Sequence, residues 1–343
     1  MQHRGGSWDV DARPMVVIWE ATRACQLACR HCRAKAQRRP LPDELNTEEA
    51  RQLIEQIAAV EPMIFVITGG DPLERRDLWE QVHYAVGSGL TTFLAPSATD
   101  LLTQEAILLA QSAGVAGIQL SLDGASATTH DRFRGVRGTF ARTMDAARWA
   151  GQAGVSLSVA TTVTRDNADE LPEIAERVRE MGARMWSLFF LVPTGRGRPE
   201  WEVDPRRAEE ILHWLVETGP SLPFRVKTTE APQIRRMAAV GQVGTRIGDG
   251  AGFVFIAYNG EVYPSGFLPL SVGNVRSDSL GDIYRTAPLM KELRDPDALH
   301  GPRCGRCPDR ALCGGSRSRA WAHSGDPLGD DPLCFVGEGV AFE

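Results

Sequence analysis

The stretch that decides both fold and chemistry in this chain is CQLACRHC, residues 25–32. It places Cys25, Cys29 and Cys32 in the spacing C-x3-C-x2-C, shortly after an apolar segment. Three thiols are an odd number for disulfides and one short of a closed tetrahedral zinc site. The stretch therefore predicts a metal site in which one position stays open for another molecule.

The bulk composition limits the class of protein. The chain has 343 residues, 43% of them hydrophobic, which is enough for one large domain and a smaller one. Its net charge of −6 lacks the basic excess of a nucleic-acid-binding protein, so no nucleic-acid partner is expected. No apolar run approaches the roughly 20 residues of a transmembrane helix, and residues 1–14 lack the apolar core of a signal peptide. We therefore expect no membrane partner and a cytoplasmic location.

All seven cysteines fall into two groups with short internal spacings. The first group is the triplet, and the second comprises Cys304, Cys307, Cys313 and Cys334. Thiols stay reduced in the cytoplasm, where clustered cysteines usually bind metal or take part in catalysis. The partition therefore indicates two metal sites, one open and one closed.

Strand-like and helix-like segments alternate between residue 15 and about residue 191. Apolar residues spaced i, i+3, i+4 and i+7 mark helices, as at Ala50, Leu53, Ile54 and Ile57. Short apolar segments between the helices predict buried parallel strands at residues 15–20, 63–68, 91–96, 117–122, 156–162 and 185–191. These β-α units predict an α/β fold, either a partial (β/α)6 TIM-like barrel or an open doubly wound sheet.

Polar or glycine-rich loops follow four of the predicted strands. The triplet follows the first strand, TGGDP (68–72) the second, PSATD (96–100) the third and SLDG (121–124) the fourth. Because the C-terminal ends of parallel strands share one rim, where ligands bind in such folds, we expect the functional site there.

The last third of the chain is less regular. A helix is expected at about residues 205–217, and FVFIAYNGEVYP (253–264) predicts a hairpin with a type I′ turn at Asn259-Gly260. The remainder is loop-rich and holds the second cysteine group, and a small domain of this kind usually needs a metal staple. We expect an N-terminal extension at 1–14, a barrel at 15–230 and a small C-terminal domain at 231–343.

Two kinds of centre suit the open triplet: a catalytic zinc with a free position, or a [4Fe–4S] cluster whose fourth iron binds a small molecule. The spacing C-x3-C-x2-C at the mouth of a barrel resembles the radical SAM superfamily. This resemblance implies an enzyme, a radical SAM oxidoreductase or lyase, whose open iron chelates S-adenosylmethionine (SAM). It also implies one-electron cleavage of SAM to methionine and a 5′-deoxyadenosyl radical, with flavodoxin or ferredoxin as electron donor.

The same resemblance implies roles for residues in the neighbouring loops. GGDP matches the family's glycine-rich motif, which assigns Gly69, Gly70 and Asp71 to the methionine part of SAM. Ser121 and Asp123 occupy positions that lie near ribose or substrate in similar enzymes, although they could instead cap the following turn. His31 stands where the family often has an aromatic residue, and an imidazole can pack beside a cluster in the same way.

The second cysteine group supplies four ligands, sufficient to close a site. A four-cysteine zinc ribbon is one interpretation. The spacing also resembles the SPASM domain, a C-terminal module with auxiliary [4Fe–4S] clusters, and this resemblance implies a small C-terminal iron–sulfur domain. A full module has further cysteines, but Ser265 lies near one of those positions. We therefore expect two [4Fe–4S] clusters, one binding SAM and one auxiliary.

Resemblance over about residues 14–336 points to SPASM-type enzymes of alternative heme and heme d1 biosynthesis, which act on acidic side chains of a tetrapyrrole. One hypothesis is therefore hydrogen abstraction from a tetrapyrrole or another small carboxylated substrate. A second is a maturase that crosslinks or oxidises a ribosomal peptide, although the N-terminal peptide-binding module often found in such maturases is not expected here. A third, a non-enzymatic metal protein, leaves the open triplet unexplained. Arg196 is a candidate partner for a substrate carboxylate, and Trp186, Phe189 and Phe190 either face the substrate or pack in the core.

Overall fold

A computed structural model describes residues 8–237 and 247–335. Part of the expected N-terminal extension, residues 1–7, lies outside the described residues. Residues 238–246 and 336–343 of the expected C-terminal domain also lie outside them.

A ten-stranded sheet forms the centre of the fold, with strand order β10-β9-β8-β1-β2-β3-β4-β5-β6-β7. Strands β1 to β7 are parallel to their neighbours, and β8 is parallel to β1, whereas β8-β9 and β9-β10 are antiparallel. The strands are β1 Val16–Glu20, β2 Ile64–Thr68, β3 Thr92–Leu94, β4 Gly117–Ser121, β5 Leu157–Val163, β6 Met185–Phe190, β7 Arg225–Thr229, β8 Phe253–Ile256, β9 Glu261–Tyr263 and β10 Gly273–Asn274. All six predicted strands are present, and the α/β partial-barrel prediction is confirmed.

Helices cover the outer face of this sheet, as their apolar periodicity predicts. The first begins at Asn46, whose side chain forms a capping box with Glu49, and it buries the predicted apolar face. The expected helix near 205–217 begins at an Asp204 cap. The helices are α1 Thr47–Ala59, α2 Leu78–Gly87, α3 Gln104–Ser112, α4 Ala127–Arg134, α5 Thr139–Ala153, α6 Leu171–Glu180, α7 Pro205–Thr218, α8 Ile234–Met237, α9 Leu280–Thr286, α10 Pro288–Arg294 and α11 Arg317–Ser324.

Four strands, β7 to β10, were not foreseen as members of this sheet. The segment RVKTT of β7 has no apolar run, so its pattern gave no strand signal. β8 was expected only as part of a hairpin, yet it pairs with β1 in the register Val17↔Val254 and Ile18↔Phe255. The sheet therefore continues beyond residue 230, where the sequence analysis placed a domain boundary.

The hairpin at 253–264 is present, but the predicted type I′ turn is wrong. Such a turn needs positive φ at both central residues. Gly260 has φ +84°, whereas Asn259 does not have a positive φ. Gly260 N–H donates to Ala257 O (3.0 Å) and Ala257 N–H donates to Glu261 O (2.8 Å), which closes a three-residue loop. In loops of this length only the last residue must be left-handed, and glycine occupies that place.

A buried arginine on α11 ties the segment with the second cysteine group to the barrel. Arg319 is only 1% exposed. Its guanidinium donates to the backbone oxygens of Phe190 (3.3 Å) and Leu191 (3.2 Å) at the end of β6, and to Glu230 O (2.8 Å) just after β7. Two carboxylates balance its charge, Glu202 at 3.1 Å and Asp331 at 3.4 Å.

Arg319→Met is expected to lower the free energy of unfolding by about 3–5 kcal/mol, because it leaves two carboxylates uncompensated in a buried place. The matched control is Arg285→Met, which removes an exposed arginine paired with Asp282 and should cost less than about 1 kcal/mol. Anaerobic denaturant unfolding of both variants measures the difference. Equal losses would mean that Arg319 does not tie the two parts together.

Candidate active site

The triplet loop directly follows β1, and its sulfur atoms face one cavity. Leu27 N–H donates to Cys25 Sγ (3.3 Å), and Ala36 N–H donates to Cys32 Sγ (3.4 Å). The thiols that line the cavity are Cys25, Cys29 and Cys32. Burial raises the pKa of Cys25 to about 11, so this thiol remains protonated unless a metal centre displaces the proton. N–H donors aimed at sulfur suit ligands that become anionic when they bind a cluster.

Cys29 receives its donor from Arg134, at the end of α4. The Arg134 guanidinium donates to Cys29 Sγ (3.8 Å) and forms an ion pair with Asp123. Burial raises the pKa of Cys29, and the charge of Arg134 opposes that rise. Thr162 N–H donates to Asp123 Oδ1 (2.7 Å), so the carboxylate is fixed from the sheet side.

Asp123 is fully buried and does not line the cavity. It does not cap the following turn either, because the Ser126 side chain accepts the N–H of Thr129 at the start of α4. The geometry favours a positioning role for Asp123, which holds Arg134 against Cys29. Arg134 was not predicted from the sequence, although it lies ten residues beyond SLDG, in SLDGASATTHDRFRG (121–135).

The glycine pair Gly69-Gly70 packs against the backbone that leads into the triplet. A Cβ on Gly69 would lie 2.7 Å from Thr22 O, and one on Gly70 would lie 2.8 Å from Arg23 O and closer still to Ala24 O. Gly70 N–H donates to Thr22 O (2.7 Å). Both glycines also line the cavity. Close backbone approach therefore accounts for them even before a ligand is considered.

Asp71 is buried and, like Asp123, does not line the cavity. Its carboxylate accepts from Thr99 Oγ1 (2.6 Å), Ser97 N–H (3.3 Å) and Leu73 N–H (3.2 Å). Burial raises the pKa of Asp71 to about 6. Ser97 Oγ in turn donates to Gly70 O (2.8 Å). Asp71 therefore joins the loops after β2 and β3, and its predicted contact with SAM becomes a positioning role.

Arg196 lies beside the triplet, as its place beyond β6 suggested. Its Nε donates to Cys29 O and its backbone N–H donates to Cys32 O, both at 3.0 Å. The preceding Gly195 has φ +61°, and a Cβ there would overlap Arg33 O. Arg196 also lines the cavity. The structure brings it to the site, where it secures the triplet loop as well as facing the cavity.

The remaining candidates divide between cavity and core. Ser121 and Phe189 line the cavity, and the Phe189 ring lies 6.2 Å from that of Phe267. Trp186 packs in the core, where its Nε1 donates to Thr161 Oγ1 (2.8 Å). Phe190, which is 1% exposed, also packs mainly in the core.

His31 stacks on Phe133 with ring centroids 4.3 Å apart. Burial, and next the charge of Arg134, lower the pKa of His31 to about 3. The imidazole is therefore neutral, and it occupies this place as a phenyl ring would.

The second cysteine group lines a separate, smaller cavity. The cysteines that line this cavity are Cys304, Cys307, Cys313 and Cys334. Arg236, Arg303 and Arg310 line it as well. Gly315 N–H donates to Cys313 Sγ (3.5 Å), and Arg317 donates to Cys304 Sγ (3.8 Å). Within 8–237 and 247–335, no group of three or more Cys, His, Asp or Glu is arranged to hold a single metal ion. All four cysteines line the same cavity.

One large cavity connects the two groups. Its volume is about 1710 Å³, and it extends from the triplet through the barrel interior to Cys313 and Arg317. Nine arginine and lysine side chains line it, whereas the acidic side chains among its described lining residues are two, Glu230 and Asp249. A cavity with this balance attracts an anionic ligand.

Residues 19–178 match the family model of the Radical SAM superfamily, and residues 249–308 match SPASM, an iron-sulfur cluster-binding domain. The "AdoMet-dependent heme synthase" of Oleidesulfovibrio alaskensis is 38% identical, over 93% of this chain and 86% of the relative. The "Mycofactocin maturase MftC" of Mycobacterium ulcerans is 33% identical, over 95% of this chain and 89% of the relative. The chain belongs to the radical SAM superfamily.

The fold agrees with this assignment. The crystal structure of Streptococcus suis SuiB bound to precursor peptide SuiA superposes with a TM-score of 0.75 at 15% identity, covering 95% of this chain and 76% of SuiB. The predicted relationship to heme-synthesis enzymes is confirmed, and the protein is a radical SAM enzyme. Its cofactors are SAM and two [4Fe–4S] clusters. Among the described helices, none has the length and apolarity to cross a membrane.

Gly70→Ala is expected to displace the triplet loop, because the added methyl group meets rigid backbone. We expect a loss of about 1–3 kcal/mol in unfolding free energy together with less SAM cleavage. The control is Gly87→Ala, where an added Cβ meets nothing within 4 Å, so stability should stay equal or rise by up to about 1 kcal/mol. Unfolding and 5′-deoxyadenosine formation measure the two effects. Equal behaviour of both variants would show that close packing at Gly70 is unimportant.

Proposed function

We propose that this enzyme abstracts hydrogen from a tetrapyrrole that carries carboxylate side chains. The observation that carries the proposal is the large cavity, which opens to both cysteine groups and has a strongly cationic lining. Similarity over nearly the whole chain to a protein named as a heme synthase supports the same substrate class.

In this proposal Cys25, Cys29 and Cys32 hold the SAM-binding cluster. When bound, the cluster and SAM supply a one-electron cleavage that yields a 5′-deoxyadenosyl radical. Gly69, Gly70 and Ser121, which line the cavity, would contact SAM, and Arg134 would compensate negative charge on the cysteine ligands. Arg196 fixes the loop through Cys29 and Cys32 and presents a cation to the cavity.

Cys304, Cys307, Cys313 and Cys334 hold the auxiliary cluster in this scheme. Cys313 lines both cavities, which supports a position of the auxiliary cluster beside the substrate space. The domain boundaries at residues 14 and 230 are also part of the proposal. The sheet extends across the second boundary, so the two domains would share one sheet.

A second candidate function is maturation of a ribosomally synthesised peptide. The observation that favours it is the similarity to the maturase of Mycobacterium ulcerans, which also extends over nearly the whole chain. A peptide and a tetrapyrrole make different demands on the cavity. A wide, cationic interior suits a macrocycle with several carboxylates better than an extended peptide.

Anaerobically reconstituted protein should hold about eight iron atoms per chain, as two [4Fe–4S] clusters require. Replacing Cys25, Cys29 and Cys32 together by alanine should halve the iron content and abolish SAM cleavage. Iron analysis and chromatography of 5′-deoxyadenosine measure both quantities. Zinc in place of iron in oxygen-free preparations would contradict the ligand assignment.

Cys304→Ala should disrupt the auxiliary cluster but preserve SAM cleavage with dithionite, because the two ligand sets lie on different elements. Turnover of the substrate should fall sharply. Loss of cleavage with the first cluster intact would instead make the auxiliary group an obligatory entry route for electrons.

The substrate class is tested by anaerobic assays with a carboxylated porphyrin and, separately, with a ribosomal precursor peptide. With the porphyrin, formation of 5′-deoxyadenosine together with a SAM-dependent change in porphyrin mass is the expected result. A change in peptide mass with an unchanged porphyrin would replace the proposal by the maturase function.

A further inference from the structure

Lys227 occupies an unusual place in the wall of the large cavity. It lies on β7, in register with Ser187 of β6, and it lines the cavity together with that residue. The register continues from Ser187 to Ala160 and from Ala160 to Ser121. These four residues thus form one row across neighbouring strands, and since they point to the same face, they all line the interior.

No counter-ion accompanies Lys227. Within residues 8–237 and 247–335, the side chain of Lys227 forms neither a hydrogen bond nor an ion pair. Two other cations of this cavity have carboxylate partners: Arg33 pairs with Glu20 at 3.1 Å, and Arg134 pairs with Asp123. The Lys227 side chain is exposed to the cavity. Protein atoms around the ammonium group, and next the charge of Arg235, lower the pKa of Lys227. A cation in such surroundings gains from an anion that enters the cavity.

The two acidic residues that line the same cavity, Glu230 and Asp249, do not act as counter-ions of Lys227. Glu230 accepts a hydrogen bond from Ser316 Oγ, and burial together with nearby Asp249 raises the pKa of Glu230 to about 8. Its carboxyl group is thus mainly protonated at neutral pH. Asp249 is only 8% exposed and accepts from both the N–H and the Oγ of Ser318, each at 2.8 Å.

Space for a ligand lies beside Lys227. Ala160 and Ser187 have small side chains, so they leave space in the cavity between Ser121 and Lys227. Three strand spacings of about 4.8 Å separate those two residues along the sheet. A flat, wide molecule therefore fits against this row with one edge at Lys227 and another toward the SAM side at Ser121.

We propose that Lys227 binds a carboxylate of the substrate and so fixes the orientation of a carboxylated tetrapyrrole in the barrel. This inference rests on the proposed function. Lys227 does not act on the reacting atoms in this scheme, and it serves as a binding and specificity residue. An ammonium group that meets a carboxylate in a partly dry site makes a charge-assisted hydrogen bond, which is stronger than a neutral one.

The test measures binding and needs no turnover. Coproporphyrin, which has propionate side chains, and its methyl ester are titrated into the reconstituted enzyme and followed by fluorescence. Lys227→Met should weaken coproporphyrin binding about tenfold, equivalent to about 1.4 kcal/mol, and leave ester binding unchanged. Lys227→Arg keeps the charge and should restore most of the affinity. Lys291→Met is the matched control, since that exposed lysine on α10 does not line the cavity, and it should bind like the wild type.

The outcomes separate the two proposals. If the wild type binds coproporphyrin and Lys227→Met binds it equally well, the role of Lys227 is refuted while the proposed function stands. If the wild type binds neither porphyrin, both are overturned. Iron content of each variant shows whether a loss of binding comes from misfolding, and Lys227→Arg with normal iron but no recovered affinity would also refute the proposal.

Discussion

The structure depends on a single buried guanidinium. Arg319 brings together the ends of β6 and β7, the loop of Glu202 and the segment that leads to Cys334, at a point where little water can enter. Its charge is compensated only if all these pieces are in place, so each of them fixes the others. The Glu202 carboxylate also accepts from His323 (2.7 Å), which extends the same network along α11. The positions of the two cysteine groups relative to one another follow from this constraint.

The same logic explains the surroundings of the triplet. Asp71 and Asp123 were both predicted to contact SAM or substrate. In the structure, Asp71 instead joins two loops, and Asp123 holds Arg134 in position. Direct contact with the cavity is left to backbone, small side chains and cations. The site thus separates an outer shell of buried acids from an inner surface that carries positive charge, and that inner surface suits an anionic substrate.

Much of this arrangement could be predicted from the sequence. The six apolar strands and the apolar faces of α1 and α6 follow from periodicity, because each buries one face in a common core. β7 was not predicted because none of its five residues is fully buried, so RVKTT has no need of an apolar run. The glycine pair was predicted from its motif, but its contact with Thr22 and Ala24 depends on how two loops meet, which spacing does not encode. Nothing in the sequence indicated that Lys227 faces the cavity, because an unpaired lysine is recognised only when its neighbours in space are known.

The central claim is that both cysteine groups hold iron and face one cavity. Diffraction from anaerobic crystals, recorded at the iron absorption edge, tests it directly. The account predicts two anomalous peaks, one bounded by Cys25, Cys29 and Cys32 and the other by Cys304, Cys307, Cys313 and Cys334. A single iron peak, or a peak at the four-cysteine group that appears at the zinc edge and not the iron edge, would contradict it.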